Sequence, residues 1–337
     1  MRTKLFGQPN NYSATEGNVP KNRIKTTILG VFAAMAATIL SACTGTSYQS
    51  TTPPDTAERL STTADALHVL TTFTVTADMV AQVGGEHVVV QSLTPPGAEI
   101  HSWEPSPQDL AAASQTDLII RHGLGLESWF TRFMDDLNVP FITVTEGIDP
   151  MPIVHGEYAG AANPHAWMSP DNAEVYVENI TAALSAYSPE HSADFAANAH
   201  QYVARLREVS RNIDSRMAEL PRAQRILVTC EGAFSYLARD LGLREYYIWP
   251  VNAEREATPR RVASVIDVLA AQDIPAVFCE STVGERPMRA IAEESGARFA
   301  GTLYVDSLTD SDGPAPTYLD LLTYNTDLII EGLSAHE

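Results

Sequence analysis

SPEHSADFAANAHQYVARLREVSRNIDSRMAELP, residues 188–221, is the longest uninterrupted helical pattern in the chain, and its reading decides the architecture. Ser188 stands as a cap with Pro189 at the first helical position. Phe195, Tyr202, Leu206, Val209, Ile213, Met217 and Leu220 then step by sevens, fours and threes along one face until Pro221 ends the pattern. A helix of about 30 residues spans roughly 45 Å. That length suits a rigid strut between two lobes better than a hinge; the competing arrangement packs the helix wholly within one lobe.

On either side of the strut, short β-rich runs alternate with helical patterns. Before it lie runs at 70–75, 88–93, 117–121 and 141–145; after it, runs at 226–229, 246–249, 276–279 and 299–304. Val262, Val265, Ile266 and Leu269 share one helical face, as do Tyr318, Leu321, Leu322, Asn325 and Leu328. Strands that alternate with helices imply parallel sheets with helices on both faces. The expected fold is therefore α/β: two lobes of parallel sheet flanked by helices, 64–187 and 222–337, joined by a single long helix at 188–221.

Two strand-to-helix turns each carry a histidine. In VQSLTPPGAEIHSWEPS (90–106) a β-branched run ends at two prolines and a glycine. His101 sits on the resulting loop, and Ser106 caps a helix with Pro107 first and Asp109 at the third position. NPHAWMSP (163–170) repeats the idea, with His165 shortly before a Ser-Pro helix start. Two such turns in one chain suggest a metal site.

Residues 1–42 read as a targeting segment and are set aside from the fold. Arg2, Lys4, Lys21, Arg23 and Lys25 precede a small or apolar run from 26 to 42 that ends in Leu40-Ser41-Ala42-Cys43. That tetrapeptide resembles the lipobox of bacterial lipoproteins, which implies acylation of Cys43 and an anchor on the extracytoplasmic face of the cell membrane. Seventeen residues is at the short end of a spanning helix, which weighs against the transmembrane reading. Residues 43–63, rich in Ser, Thr, Pro and Gln, read as a flexible tether. Without the leader, 17 basic residues face 41 acidic ones, and no lysine remains. Nucleic acid is a poor partner for such a surface, because phosphate contacts need clustered cations. Cys230 and Cys279 each close a short apolar strand and are expected as buried free thiols, since spacing alone cannot show that they meet.

In open α/β sheets, ligands bind beyond the carboxyl ends of strands. The first lobe offers His101 and His165 there; the second offers Glu231 and Asp306. Two imidazoles and two carboxylates balance a divalent cation with nitrogen and oxygen donors suited to manganese, iron or zinc. Spacing alone does not select these four. Glu231 has an alternative reading as a carboxylate at a helix N-terminus. Asp306 has one as a solvated turn residue beside Asp310 and Asp312, and His122 is a rival ligand at another strand end. His68, His87, His191, His200 and His336 read as surface or helix-face residues.

The selection comes from resemblance. IHSWEPS (100–106), NPHAW (163–167), VTCEGAFSY (228–236) and YVDSL (304–308) resemble segments of the solute-binding lipoproteins of manganese/zinc ABC importers. So do Tyr247-Ile248-Trp249 with Asn252 and Thr258-Pro259, and Glu280-Ser281 with Arg286-Pro287-Met288. The likeness runs from about 62 to 334. It implies two α/β lobes on one long helix and a metal held by His101, His165, Glu231 and Asp306. It leaves His122 as cleft lining, and Glu280 is expected to orient a ligand imidazole. Asn163 stands where many relatives carry Asp, and Pro250 interrupts a segment that is usually acidic; neither is expected to touch a ligand. The stretch before His165 holds only one other histidine, His155, which resembles the manganese branch rather than zinc importers with their histidine-rich loop.

The implied function is metal capture rather than catalysis. The cargo would be manganese, with zinc or iron as alternatives. The partners would be an ABC permease and its cytoplasmic ATPase, with Glu254-Arg255-Glu256 a contributor to the permease contact, and the protein would be a monomer. A lipid-anchored metalloenzyme is the second reading, disfavoured by four protein donors and the lack of HExxH. An adhesin is a third, for which no residue argues. A rigid strut predicts small rearrangements on binding, so release would need the permease to distort the site.

Overall fold

Short β-branched runs alternating with amphipathic helices require crossover connections, and crossovers make parallel sheets. The structure, a computed structural model, describes residues 66–334 apart from 157 and 252–257. The leader, Cys43 and the tether lie outside the described residues, as do Asn252, Glu254-Arg255-Glu256 and His336. No helix among the described residues is long and apolar enough to cross a membrane.

The first sheet holds β1 (Leu67–Thr71), β2 (Val88–Ser92), β3 (Leu118–Arg121) and β4 (Phe141–Thr143), all parallel, in the order β2-β1-β3-β4. Helices α1 (Thr74–Gly84), α2 (Pro107–Ala113) and α3 (Ser128–Leu137) make the crossovers. The run expected as a strand at 70–75 divides. The strand stops at Thr71 and Thr74 already opens α1, because Val75, Met79, Val80 and Val83 form one buried helical stripe. Local β-propensity yields there to that burial.

Helix α4 (Pro170–Tyr187) leads into the strut, α5 (Ser192–Glu219), of 28 residues. Phe195, Tyr202, Leu206, Ile213 and Met217 are buried along it, as the spacing predicts. Its start differs from the sequence reading. Pro189–His191 form a separate 3-10 turn, and the Ser188 hydroxyl donates to the Glu190 carboxylate instead of capping the helix.

Beyond α5 come two parallel strand pairs: β5 (Ile226–Glu231) with β6 (Arg244–Trp249), and β7 (Ala276–Glu280) with β8 (Arg298–Leu303). Helices α6 (Ser235–Leu241), α7 (Pro259–Gln272), α8 (Arg286–Ser295) and α9 (Tyr318–Ser334) accompany them. β5 and β7 lie side by side. There Cys230 and Cys279, expected as free thiols, form a disulfide with their Cα atoms 4.9 Å apart. The two cysteines are 49 residues apart in sequence, but each is the penultimate residue of its strand, which brings them level.

One apolar cluster runs from Val69, Phe73 and Met79 through Tyr176, Phe195, Tyr202 and Leu206 to Leu303, Val305 and Ile329. The strut thus buries one face against α1 and α4 before it and α9 after it, and leaves the other face exposed. Polar links stitch the two parts further: the Tyr318 N–H donates to Asp78, Leu308 N–H to the Thr74 hydroxyl, and Gly97 N–H to the Ser307 hydroxyl.

Candidate metal centre

Both histidine loops are fixed from their backbones outward. Before His101, the Glu99 carboxylate gathers the N–H groups of His101 and Ser102 at 2.7 and 2.9 Å, and the buried Ile100 carbonyl accepts from Trp129 Nε1. Ser106 and Asp109 then form the expected capping box at α2. The His165 loop is held by two buried side chains. His122 Nε2 donates to the Pro164 carbonyl at 2.7 Å, and the Tyr236 hydroxyl to the Asn163 carbonyl at 2.8 Å. Ser169 caps α4 as anticipated. Glu231 ends β5, and Asp306 follows β8 where Asn325 bonds both the N–H and the carbonyl of Tyr304. Gly232 lets the chain leave β5 close to a neighbour: a Cβ there would meet the Tyr247 ring at 2.9 Å.

The structure brings the four side chains together. One nitrogen or oxygen from each of His101, His165, Glu231 and Asp306 lies within 4.8 Å of all the others. The two Nε2 atoms are 3.1 Å apart. Glu231 Oε1 lies 3.6 and 3.5 Å from them, and Asp306 Oδ1 3.7 and 3.8 Å. His165, Glu231 and Asp306 are fully buried, and the His101 side chain is 4% exposed. The centre of a tetrahedron with edges near 3.5 Å lies about 2.1 Å from its corners, within the range of metal–nitrogen and metal–oxygen bonds.

Asn163, expected to touch no ligand, turns out to set the chemistry of one. Its Oδ1 accepts from both the backbone N–H and Nδ1 of His165, while its Nδ2 donates to the Gly232 carbonyl. With the amide so oriented, His165 carries its proton on Nδ1 and presents a lone pair at Nε2. In the metal-free protein the 3.1 Å Nε2–Nε2 contact is then a hydrogen bond donated by His101. Burial pushes the His165 imidazole well below its ordinary range, and His101 beside it adds to the effect. Burial alone would raise the Asp306 carboxyl, but the His101 and His165 imidazoles and the Thr282 hydroxyl outweigh it and hold the group below the usual carboxylate range. The centre is therefore set for a neutral imidazole and an ionised carboxylate, the protonation states that metal binding needs.

Two expectations change. His122 does not line the cleft; it is buried beneath the His165 loop, between Pro164 and the Tyr176 hydroxyl. Glu280 orients no imidazole; its Oε2 accepts the backbone N–H of Glu231 at 3.1 Å. Thr282, absent from the residues expected at the site, donates its hydroxyl to Asp306 Oδ2 at 2.9 Å. A polar residue two positions past a strand end, level with Glu280, was its only signal. His87 and His191, read as surface residues, stack at 3.7 Å beside Asp194.

Next to the centre, a cavity of about 280 Å³ is lined by Asn163, Ser235, Arg239, Glu245 and Tyr247. Glu245 accepts from the Phe234 N–H and the Ser235 hydroxyl, and burial pushes its carboxyl up to about 7. A raised folded-state value means that this group's stabilising contribution is complete below about pH 4.5 and is lost as pH rises through 7. Glu245→Gln removes that loss. Thermal melts should show it more stable than the parent at pH 8.5 by roughly 2–3 kcal/mol, with the difference closing towards pH 4.5. A pH-independent difference would mean that Glu245 is ionised throughout.

Residues 69–332 match the family model described as zinc-uptake complex component A, periplasmic. The iron-binding protein YfeA of Yersinia pestis is 45% identical over 273 residues, covering 81% of this chain and 88% of that protein. The manganese-binding lipoprotein MntA of Halalkalibacterium halodurans is 33% identical over 271 residues, covering 80% and 89%. Among solved structures, the manganese-bound periplasmic metal binding protein from Candidatus Liberibacter asiaticus is similar with a TM-score of 0.74 at 35% identity, over 79% of this chain and 99% of that one.

Proposed function

We propose, from the premise that this chain belongs to the family of zinc-uptake complex component A, that it captures a divalent transition metal outside the cytoplasmic membrane. It would hand the metal to an ABC permease driven by a cytoplasmic ATPase. The observation that carries the reading is the convergence of His101, His165, Glu231 and Asp306 into one buried cluster at metal-binding spacing. Two carboxylates neutralise a dication, and two hard oxygen donors beside two imidazoles suit manganese, with iron and zinc as the alternatives. The iron-binding name of the Yersinia pestis relative makes iron the first competitor. Four protein donors fill a tetrahedral shell, whereas a hydrolytic site keeps one position for water; capture rather than catalysis follows.

The Cys230–Cys279 bridge suits an oxidising compartment outside the cytoplasm. Anchoring through an acylated Cys43 completes the proposal, with the lobes of residues 64–187 and 222–337 working as a monomer around the strut at 188–221. A strut whose buried face packs against helices both before and after it favours small rearrangements, so release falls to the permease.

The test is a thermal melt of the chelator-stripped protein with manganese, iron(II), zinc, calcium or no metal. At a thousand times the dissociation constant, a bound transition metal should add about 4 kcal/mol, a shift of several degrees. Calcium should add nothing. No shift with any metal would overturn the reading. Because zinc outcompetes manganese at such donors whatever is transported, the cargo is identified by uptake: manganese import should disappear with the gene and return with it.

A further inference from the structure

His165 stands midway between two side chains that reach from the chain before the strut to the chain beyond it. Two residues before it, Asn163 Nδ2 donates to the Gly232 carbonyl at 2.8 Å. Two residues after it, Trp167 Nε1 donates to the Val305 carbonyl at 3.0 Å. Gly232 directly follows Glu231, and Val305 directly precedes Asp306, so each link ends one residue from a carboxylate donor. Both side chains are buried, where such bonds are shielded from competing water. Each is also held in place from its own backbone. The Asn163 carbonyl accepts from the Tyr236 hydroxyl, and its N–H donates to the Met151 carbonyl at 2.7 Å. The Trp167 carbonyl accepts from the Tyr318 hydroxyl, and the indole packs edge-on against Phe73 and His122. Neither crossing link involves a ligating atom, so coordination does not itself require them.

We propose that Asn163 and Trp167 are positioning residues that form a clasp for metal retention. Together they tie the His165 segment to the chain beside Glu231 and beside Asp306, and so keep three of the four donors assembled when no ion is present. The inference rests on reading the four donors as the cargo site. His101 lies outside the clasp. Its backbone is held by Glu99 from within its own loop, and the crossing bond on that loop, from the Gly97 N–H to Ser307, lies four residues away. Donors already in place lose less conformational freedom when the ion arrives. The clasp therefore acts on how long the metal stays rather than on how fast it comes.

Manganese release from the loaded full chain into excess chelator tests this in Trp167→Phe, which keeps an aromatic ring against Phe73 and His122 and loses the Nε1 donor. The expected result is release faster by roughly fivefold, the net worth of one buried hydrogen bond, with the association rate unchanged. Asn179→Ala is the control. Its Nδ2 anchors the Val144 and Glu146 carbonyls and reaches none of the donor segments, so the variant should melt at a lower temperature and release manganese at the parent rate. A Trp167 that served only packing would behave like that control, with the metal-free and metal-bound forms destabilised together. Asn163→Asp cuts the other link and decides the matter should Trp167→Phe fail to fold. Its carboxylate still accepts from His165 but cannot donate to Gly232. The added charge by itself would tighten the hold on a cation, so faster release reports the lost link. Release at or below the parent rate in the deciding variant would overturn the clasp and leave the cargo reading intact. Failure of the parent to bind any transition metal would overturn both.

Discussion

Asp306→Ala is expected to abolish the metal-induced stabilisation while leaving the metal-free protein folded. Asp306 gives one oxygen to the cluster and the other to the Thr282 hydroxyl, and the neighbouring imidazoles hold its carboxyl ionised. Its loss removes one of four donors and one of the two negative charges that balance a dication. If affinity falls by a thousandfold, a metal concentration that stabilised the parent by about 4 kcal/mol will stabilise the variant by roughly 0.4 kcal/mol. Asp306→Asn makes the cause legible. The amide oxygen can still accept from Thr282, so the loop keeps its anchor while the charge is gone. A melting shift that vanishes in both variants assigns the effect to coordination. One that survives in the asparagine variant would mean that the charge does little and that a neutral oxygen suffices. A full shift in the alanine variant would place the metal elsewhere.

How much of this was legible in the sequence depended on how local each feature is. The strut was visible because seven apolar residues keep helical spacing over 26 positions, and five of them are buried on the α5 face. The Ser106 capping box and the Ser169 cap are set within four residues, and both appear as expected. The strand boundary at Thr71 and the cap at Ser188 were misread for opposite reasons. In the first, burial of the α1 stripe overrode β-branched propensity; in the second, a carboxylate two residues on took the serine hydroxyl. The site itself joins residues up to 205 positions apart, and periodicity carries no information at that range; only the resemblance picked out the four. The residues that position them, Asn163, His122, Thr282 and Asn325, were opaque. Their function lies in what they bond across the fold, and Asn163 even read as a departure without consequence. For the disulfide, the parallel endings Thr229-Cys230-Glu231 and Phe278-Cys279-Glu280 were a usable signal: two equivalent strand positions in adjacent strands are level.

The His122 environment leads to a second large effect, on acid stability rather than metal affinity. The imidazole is fully buried among Phe73, Trp167 and Tyr176, with Nε2 donating to the Pro164 carbonyl and Nδ1 accepting from the Tyr176 hydroxyl. Both nitrogens are committed in the neutral form, and burial pushes its pKa down to about 3. In the unfolded chain the group protonates near 6.5. Below that pH the unfolded state binds a proton that the native state refuses, so stability falls as pH falls and continues to fall to about pH 3. Over that range the group contributes a loss of roughly 5 kcal/mol, about 1.4 per pH unit. Buried carboxyls such as Glu127 and Glu280, pushed up by desolvation, work in the opposite direction. The parent's pH profile alone therefore mixes the two. The clean observable is the difference between the parent and His122→Gln, which retains a donor for Pro164 but cannot titrate. At pH 7 the glutamine variant should be the less stable, having lost the ring packed against Trp167. Between pH 6.5 and pH 4 the difference should move by about 3 kcal/mol in its favour. A constant difference would mean that His122 takes up its proton in the native state. The carbonyl of Pro164 would then not need the neutral imidazole to hold the His165 loop in place.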